Sequence, residues 1–502
     1  MKSIIRTVFV TYEAVPFAKV GGLADVAGAL PDALRQVDCD TTVIMPHFGD
    51  MKTEGFELQE VPIPDDWYVG IDYVHHPFQV WRTELAGGTT IYFLGDEHFY
   101  GREGIYNDPE GNPFEDELAR YIFFAKGAVE LIKCLDLNPD VIHINDYQTA
   151  IIAAYVRETY VEEHSLRDAA LVYSVHNLAY QGVYGAESLT TMGFDPERCK
   201  PYDPFECHDA VNLMKLGIHF SDQVNTVSPT YAKEIMSAEC GAGLEGVLSY
   251  SADKVRGILN GIDEDIWNPE TDPLIPYHFT KDKLSGKRGC KGALLKKAGI
   301  SLDRLNAPLI GMVGRLVAQK GLDIIAPVFD DIISMGASII VLGSGTQEYE
   351  DFLTQKAEQH PDCVAVSIGF DNELAHQITA ASDFFLMPSR YEPCGLNQMY
   401  AMRYGTIPVV RKTGGLADTV IEWQSNDGVG TGFSFSGFEP SELASAAFRA
   451  IQSWKDEKQR AFLIRNCMNS DFSWQKSAEG YRAMYDDAIN ARKALLDDGE
   501  PG

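Results

Sequence analysis

Short apolar runs alternate with helical patterns along nearly the whole chain. They predict strands over 4–10, 41–45, 90–94, 141–144, 171–175, 224–227 and 255–259. Between them lie helices, one with Leu23, Val26, Ala27, Leu30 and Leu34 at helical spacing and another over 115–134. Residues 50–88 break this rhythm; alternating runs at 68–73 and 78–81 predict a hairpin excursion. A second series of strands is predicted at 309–313, 338–342, 363–368, 384–387 and 407–410. The tail, 473–496, places Ala478, Tyr481, Tyr485, Ile489 and Ala491 or Arg492 on one apolar stripe, and a frayed end is expected at 497–502. Such alternation implies parallel, doubly wound α/β sheets, whose ligands bind beyond the carboxyl ends of the strands. Polar pairs sit at those ends: Asn145-Asp146, His176-Asn177, Ser228-Pro229 and Asn260-Gly261. Three prolines without periodicity at 267–276 mark a boundary, giving domains of 1–266 and 267–475 and a terminal helix, 476–502. Two Rossmann-like domains facing a cleft are the expected architecture.

Composition narrows the partners. A chain of 502 residues exceeds a single core. No apolar run approaches the ~18 residues of a membrane span. The run at 4–10 is interrupted by Arg6 and followed by Glu13 and Lys19, which reads as a strand and not as a leader. Nine cysteines, with no Cys-x-x-Cys pair, argue against a disulfide framework or structural zinc and for the cytoplasm or a similarly reducing compartment, such as a plastid stroma. A net charge of −31 disfavours nucleic acid and anionic membrane as partners. Any phosphate ligand must then be held by a few well-placed cations.

Two glycine-rich turns supply the candidate chemistry. Lys412-Thr413-Gly414-Gly415-Leu416-Ala417-Asp418 repeats, almost residue for residue, Lys19-Val20-Gly21-Gly22-Leu23-Ala24-Asp25. Each leads from a strand into a helix, the kind of junction that presents backbone N–H groups to an anion. Glu392 lies in the turn after the strand at 384–387. Arg315 and Lys320 follow the strand at 309–313, a planar fork and a point charge suited to a diphosphate. Gly343-Ser344-Gly345 permits close approach, and Phe370 offers either a face for a base or a core ring. Asp38-Cys39-Asp40 and Asp263-Glu264-Asp265 match an Asp-x-Asp metal pattern, but 73 acidic residues make chance matches expected. No metal or cofactor is expected.

Six segments in register resemble the motif set of bacterial and plant glycogen/starch synthases. They are Lys19-Val20-Gly21-Gly22-Leu23, His176-Asn177-Leu178-Ala179-Tyr180-Gln181-Gly182, Thr226-Val227-Ser228-Pro229-Thr230-Tyr231, Leu259-Asn260-Gly261-Ile262-Asp263, Gly314-Arg315-Leu316 with Gln319-Lys320-Gly321, and Pro388-Ser389-Arg390-Tyr391-Glu392-Pro393-Cys394-Gly395-Leu396. The resemblance implies the GT-B fold, with the C-terminal helix crossing back onto the first domain. It also implies a hexosyltransferase that moves glucose, with retention and without a metal, from ADP-glucose to the non-reducing 4-hydroxyl of an α-1,4-glucan. On that likeness Lys19, Arg315 and Lys320 grip the diphosphate, aided by amides near Gly21, Gly22, Leu396 and Thr413. Asn397 stands beside the phosphates, and Phe370 lies against the base. Glu392, Cys394, Gly395, His176, Asn260 and Asp146 surround the donor glucose, and Tyr106 approaches it from the long loop 95–114.

The chain departs from that pattern in places. Asn145-Asp146-Tyr147-Gln148 stands where the family usually has His-Asp-Trp-His, and Asn397 replaces a usual Thr or Ile. Tyr400 occupies the place of a second glutamate found in other related transferases. Two alternatives stay open: another nucleotide-sugar transferase on the same fold, with a UDP-glucose donor or small acceptor, and, motivated by the changes at Asn145 and Gln148, a catalytically weakened glucan-binding protein.

Overall fold

The computed structural model describes residues 4–64 and 67–497. Of the frayed end expected at 497–502, only Asp497 falls among them, as the last helical residue; the rest lies outside the described residues. The chain divides into two compact units. The first comprises residues 1–227, 232–261 and 474–502, and the second 228–231 and 262–473.

The first unit is built on a nine-stranded sheet. Its spatial order is Val255–Gly257, Gln223–Thr226, Ala170–Val175, Val141–Asn145, Ile5–Val10, Cys39–Pro46, Thr90–Gly95, Gln79–Glu84 and Gln59–Val61. The seven strands from Val255–Gly257 to Thr90–Gly95 pair parallel and the last two antiparallel. The central strands Val141–Asn145 and Ala170–Val175 are buried along their whole length, as in a parallel sheet covered on both faces. A separate hairpin is present, Tyr68–Ile71 with Val74–Pro77, but the run expected at 78–81 is not its second arm: it falls in Gln79–Glu84, which joins the main sheet. The helix Gly22–Arg35 buries Leu23, Val26, Ala27, Leu30 and Leu34 as their spacing predicts, and carries Pro31 within its span.

The terminal helix, Trp474–Asp497, belongs to this unit and packs on the helix Gly22–Arg35 and the strand Ala170–Val175. It buries Ala478, Tyr481, Tyr485, Ala488 and Arg492. Beneath it runs a polar chain: Tyr485 Oη lies 2.8 Å from His143 Nδ1, and His143 Nε2 lies 2.6 Å from Ser174 Oγ. Ser174 Oγ donates to Asn225 Oδ1 at 2.5 Å, and Asn225 Nδ2 donates to Tyr481 Oη at 3.2 Å.

The second unit holds a six-stranded parallel sheet in the order Val364–Ile368, Ser338–Gly343, Leu309–Val313, Phe384–Met387, Ile407–Arg411, Phe433–Phe435. Numbered along the chain this is 3-2-1-4-5-6, the doubly wound order whose ligand crevice opens where strand 1 meets strand 4. Its last strand, Phe433–Phe435, is too short to announce itself in the pattern.

The division between units falls at Gly261, ahead of the proline-rich segment at 267–276. That segment is no exposed linker. Trp267 is stacked between His376 and Tyr400, with ring centroids 3.8 and 3.9 Å away. Asp272 is fully buried, accepting from Tyr404 Oη at 2.6 Å and lying 2.8 Å from His376 Nδ1. Tyr400, at the place of a second glutamate elsewhere, is thus a packing ring.

Candidate active site

In the second unit both chemical segments leave the sheet at the switch point. Arg315 and Lys320 follow strand Leu309–Val313, and Glu392 follows strand Phe384–Met387. Lys320 Nζ lies 2.6 Å from Glu392 Oε2, and Ser389 Oγ donates to the same oxygen at 2.9 Å. Glu392 is only 6% exposed, so a charge-assisted pair is what its burial calls for. Arg315 is exposed and, among the described residues, has no ion-pair partner. Phe370 is 92% exposed, which excludes the core alternative and leaves its faces open.

Glycine is required by the packing here. Gly414 has φ +44°, and a Cβ on it would stand 1.9 Å from the Glu392 carbonyl oxygen. One on Gly415 would stand 2.0 Å from the Cys394 carbonyl oxygen, and Gly415 N donates to the Glu392 carbonyl at 3.1 Å. The turn bearing Thr413 therefore lies directly against the turn bearing Glu392, Cys394 and Gly395. Gln398 braces the latter, donating through Nε2 to the Gly395 and Cys394 carbonyls at 2.8 and 3.1 Å. Asn397 follows Leu396 at the helix start. Its Nδ2 donates to the Val313 carbonyl at 2.8 Å, tying that helix to the strand end that delivers Arg315. Ser228 and Thr230 join the same unit, Ser228 Oγ donating to the Pro393 carbonyl at 2.7 Å and Thr230 Oγ1 to Asp418 Oδ1 at 2.6 Å.

In the first unit the loop after Ile5–Val10 and the helix after Val141–Asn145 also lie at a switch point, since these strands are neighbours with diverging connections. The echoed turn behaves differently from its counterpart. No atom would approach a Cβ on Gly21 or Gly22 within 4 Å, so internal packing is not what calls for glycine there. Lys19 is paired with Asp25 at 2.7 Å, on the surface. The amides of Val20 and Gly21 donate to Glu13 Oε2 at 2.5 and 2.9 Å, while Tyr106 Oη donates to Glu13 Oε1 at 2.5 Å. Glu13, 3% exposed, is therefore the residue that shapes this loop, and the sequence reading passed over it. A question about which acceptor serves the amides of a glycine turn would have found it.

Asp146 has φ +56° at the junction of strand and helix, held by the His176 amide, which donates to Oδ1 at 2.7 Å. Burial raises its pKa to about 7, against the lowering effect of the His176 and Asn177 amides, and nearby Glu13 adds to the rise. Burial lowers His176 to about 4, so its ring is neutral at pH 7. Its Nε2 lies 2.9 Å from Asn145 Oδ1. Asn260 is 6% exposed and its Oδ1 has no partner among the described residues, which suits a ligand hydroxyl. Tyr147 and Gln148 are accommodated, Tyr147 Oη lying 3.2 Å from Tyr121 Oη while the buried Gln148 Oε1 lacks a partner among the described residues. Among the described residues no group of three or more His, Cys, Asp or Glu side chains is placed to hold a metal ion.

Residues 6–250 match the starch synthase catalytic domain family model, and residues 297–466 match glycosyl transferases group 1. A glycogen synthase of Anaeromyxobacter dehalogenans (strain 2CP-C) is 40% identical over 484 residues, covering 96% of this chain and 99% of its own. The chain belongs to the glycogen and starch synthase family. A glycogen synthase of Thermotoga maritima is likewise 40% identical over 489 residues, 97% of this chain and 99% of its own. Among solved structures, the catalytic domain of starch synthase IV from Arabidopsis thaliana, bound to ADP and acarbose, superposes with a TM-score of 0.88. It shares 34% identity over 97% of this chain and 100% of that one. Sucrose-phosphate synthase from Thermosynechococcus elongatus, at 17% identity and a TM-score of 0.59, shares the fold. As a glycogen/starch synthase family member the chain is a glycosyltransferase enzyme with two Rossmann-like units of GT-B type. No helix among the described residues is long and apolar enough to cross a membrane.

Proposed function

We propose that the protein elongates α-1,4-glucan, transferring glucose from ADP-glucose to the non-reducing 4-hydroxyl with retention of configuration and without a metal. The observation that carries this reading is the Lys320–Glu392 pair at the switch point of the second unit, flanked by exposed Arg315 and Phe370. Those cations suit a diphosphate, and preformed positive charge is what a departing diphosphate needs. An adenine nucleotide is favoured because the starch synthase IV relative carries ADP, and its acarbose speaks for a glucan acceptor.

In this reading Arg315 and Lys320, with Lys19 from the first unit, neutralise the phosphates, and Phe370 stacks on the base. Cys394, Gly395, Leu396, Asn397 and Thr413 line the nucleotide-sugar, while Gly21 and Gly22 leave room at their turn. His176, Asn260, Asp146 and Tyr106 receive the donor glucose. Glu392 orients its hydroxyls, and the leaving phosphate takes the acceptor's proton as it departs on the face where the acceptor attacks.

Turnover with ADP-glucose and UDP-glucose, each offered with glycogen and with maltose, tests the reading. Label entering polymer from ADP-glucose is expected. Label confined to small products, or a clear preference for UDP-glucose, selects the broader transferase reading. Glycogen binding without release of nucleoside diphosphate selects a binding protein.

A further inference from the structure

We propose that Asn145 is a positioning residue that locks His176 in a single tautomer, protonated at Nε2 and bare at Nδ1. The inference rests on the reading above, in which His176 belongs to the sugar-handling residues. Its physical basis is a short directional chain of hydrogen bonds. Asn145 Nδ2 donates to the Val10 carbonyl at 3.0 Å. A carbonyl oxygen can only accept, so the amide is fixed with its own oxygen turned the other way. That oxygen, Oδ1, lies 2.9 Å from His176 Nε2. Oδ1 in turn can only accept, and an unprotonated Nε2 would set two lone pairs against each other. Nε2 therefore carries the proton.

Burial keeps the ring neutral, since it lowers His176 to about 4. A neutral imidazole has one proton, so Nδ1 carries none and offers a lone pair. The clamp is rigid at both ends. Val10 closes a central strand, Asn145 is fully buried, and its own amide donates to Thr149 Oγ1 at 2.7 Å. His176 is tied through its amide to Asp146. The consequence is chemical: position 176 presents an acceptor, suited to a donor-sugar hydroxyl, and never an N–H. The Asn at 145, a departure in the sequence pattern, is then a working part and not a sign of lost catalysis.

Long-range ¹H–¹⁵N spectra of the histidine-labelled full chain at pH 7.5, assigned with His176→Gln, read the tautomer directly. The wild type is expected to show Nε2–H at His176. Asn145→Leu is expected to give a mixture of tautomers and to lower kcat about 10- to 100-fold, the usual range for a lost supporting contact, with little change in donor KM. Asn145→His, a neutral ring with one donor and one acceptor, is expected to restore both the signal and most of the turnover. An Nδ1–H signature in the wild type would overturn the proposal, and so would Asn145→Leu that loses turnover with an unaltered tautomer. If the wild type transfers no glucose from any donor, the functional reading fails, while the spectra still decide the tautomer.

Discussion

Lys320 Nζ lies 2.6 Å from Glu392 Oε2, joining in one ion pair the cation assigned to the phosphates and the carboxylate assigned to the sugar. Removing either partner should therefore have separable effects. Glu392→Ala frees Lys320 for a diphosphate, so ADP affinity by calorimetry is expected to hold or tighten while transfer falls about 100-fold or more. Lys320→Ala is expected to weaken ADP binding and to cost about 1–3 kcal/mol in urea unfolding, because it strands a buried carboxylate. Transfer by Glu392→Ala within a few-fold of the wild type would remove Glu392 from the site.

Phe370, at 92% exposure, contributes almost nothing to the core. Phe370→Ala should leave Tm unchanged and weaken ADP binding about tenfold, within the ~1–3 kcal/mol that a ring contributes by stacking on a base. Equal ADP affinity in the two proteins would take the ring out of the nucleotide site.

Asp146 and His176 should oppose each other in the pH dependence of stability. His176 is lowered to about 4 from an unfolded value near ~6.5, so between those values the unfolded chain binds the proton more tightly. Its contribution is lost as pH falls through that window, on the order of 3 kcal/mol. Asp146 is raised to about 7, so its contribution is full below the unfolded value near ~3.9 and is lost as pH rises through about 7. Urea midpoints measured from pH 4 to 8 should show Asp146→Asn gaining on the wild type as pH rises, and His176→Asn gaining as it falls. Parallel curves for all three proteins would contradict both assignments.

Tyr485→Phe removes the partner of His143 Nδ1 beneath the terminal helix. Because His143 is wholly buried, the loss should cost about 1–2 kcal/mol in chemical denaturation. A change under about 0.3 kcal/mol would mean that another group serves that nitrogen.

Much of the fold was legible because parallel strands buried on both faces leave continuous apolar runs such as 141–144 and 384–387, and strand ends expose the polar residues between them. Short edge elements, Gln59–Val61 and Phe433–Phe435, leave too few residues for a pattern. The packing of the proline-rich segment was hidden for a different reason. Proline and acidic residues look solvated, yet Asp272 is satisfied by His376 and Tyr404 from more than a hundred residues away, and no local pattern records such a partner. The same holds for the candidate site. Arg315, Lys320, Glu392 and Phe370 could be named from their place after strands, whereas Glu13 became visible only once Tyr106 and the amides of Val20 and Gly21 were seen around it. The two near-identical glycine turns show the limit most clearly. Gly414 and Gly415 are demanded by backbone packed against them, and Gly21 and Gly22 face open space.

The helix Trp474–Asp497 completes the first unit, yet more than two hundred residues of the second unit are translated before it. At ribosomal speeds that interval is on the order of 10–40 s. Throughout it the groove that receives Tyr481, Tyr485 and Ala488 has no helix to cover it. The nascent first unit must wait, with apolar surface and the buried His143 network open to water, for the helix Trp474–Asp497 to emerge.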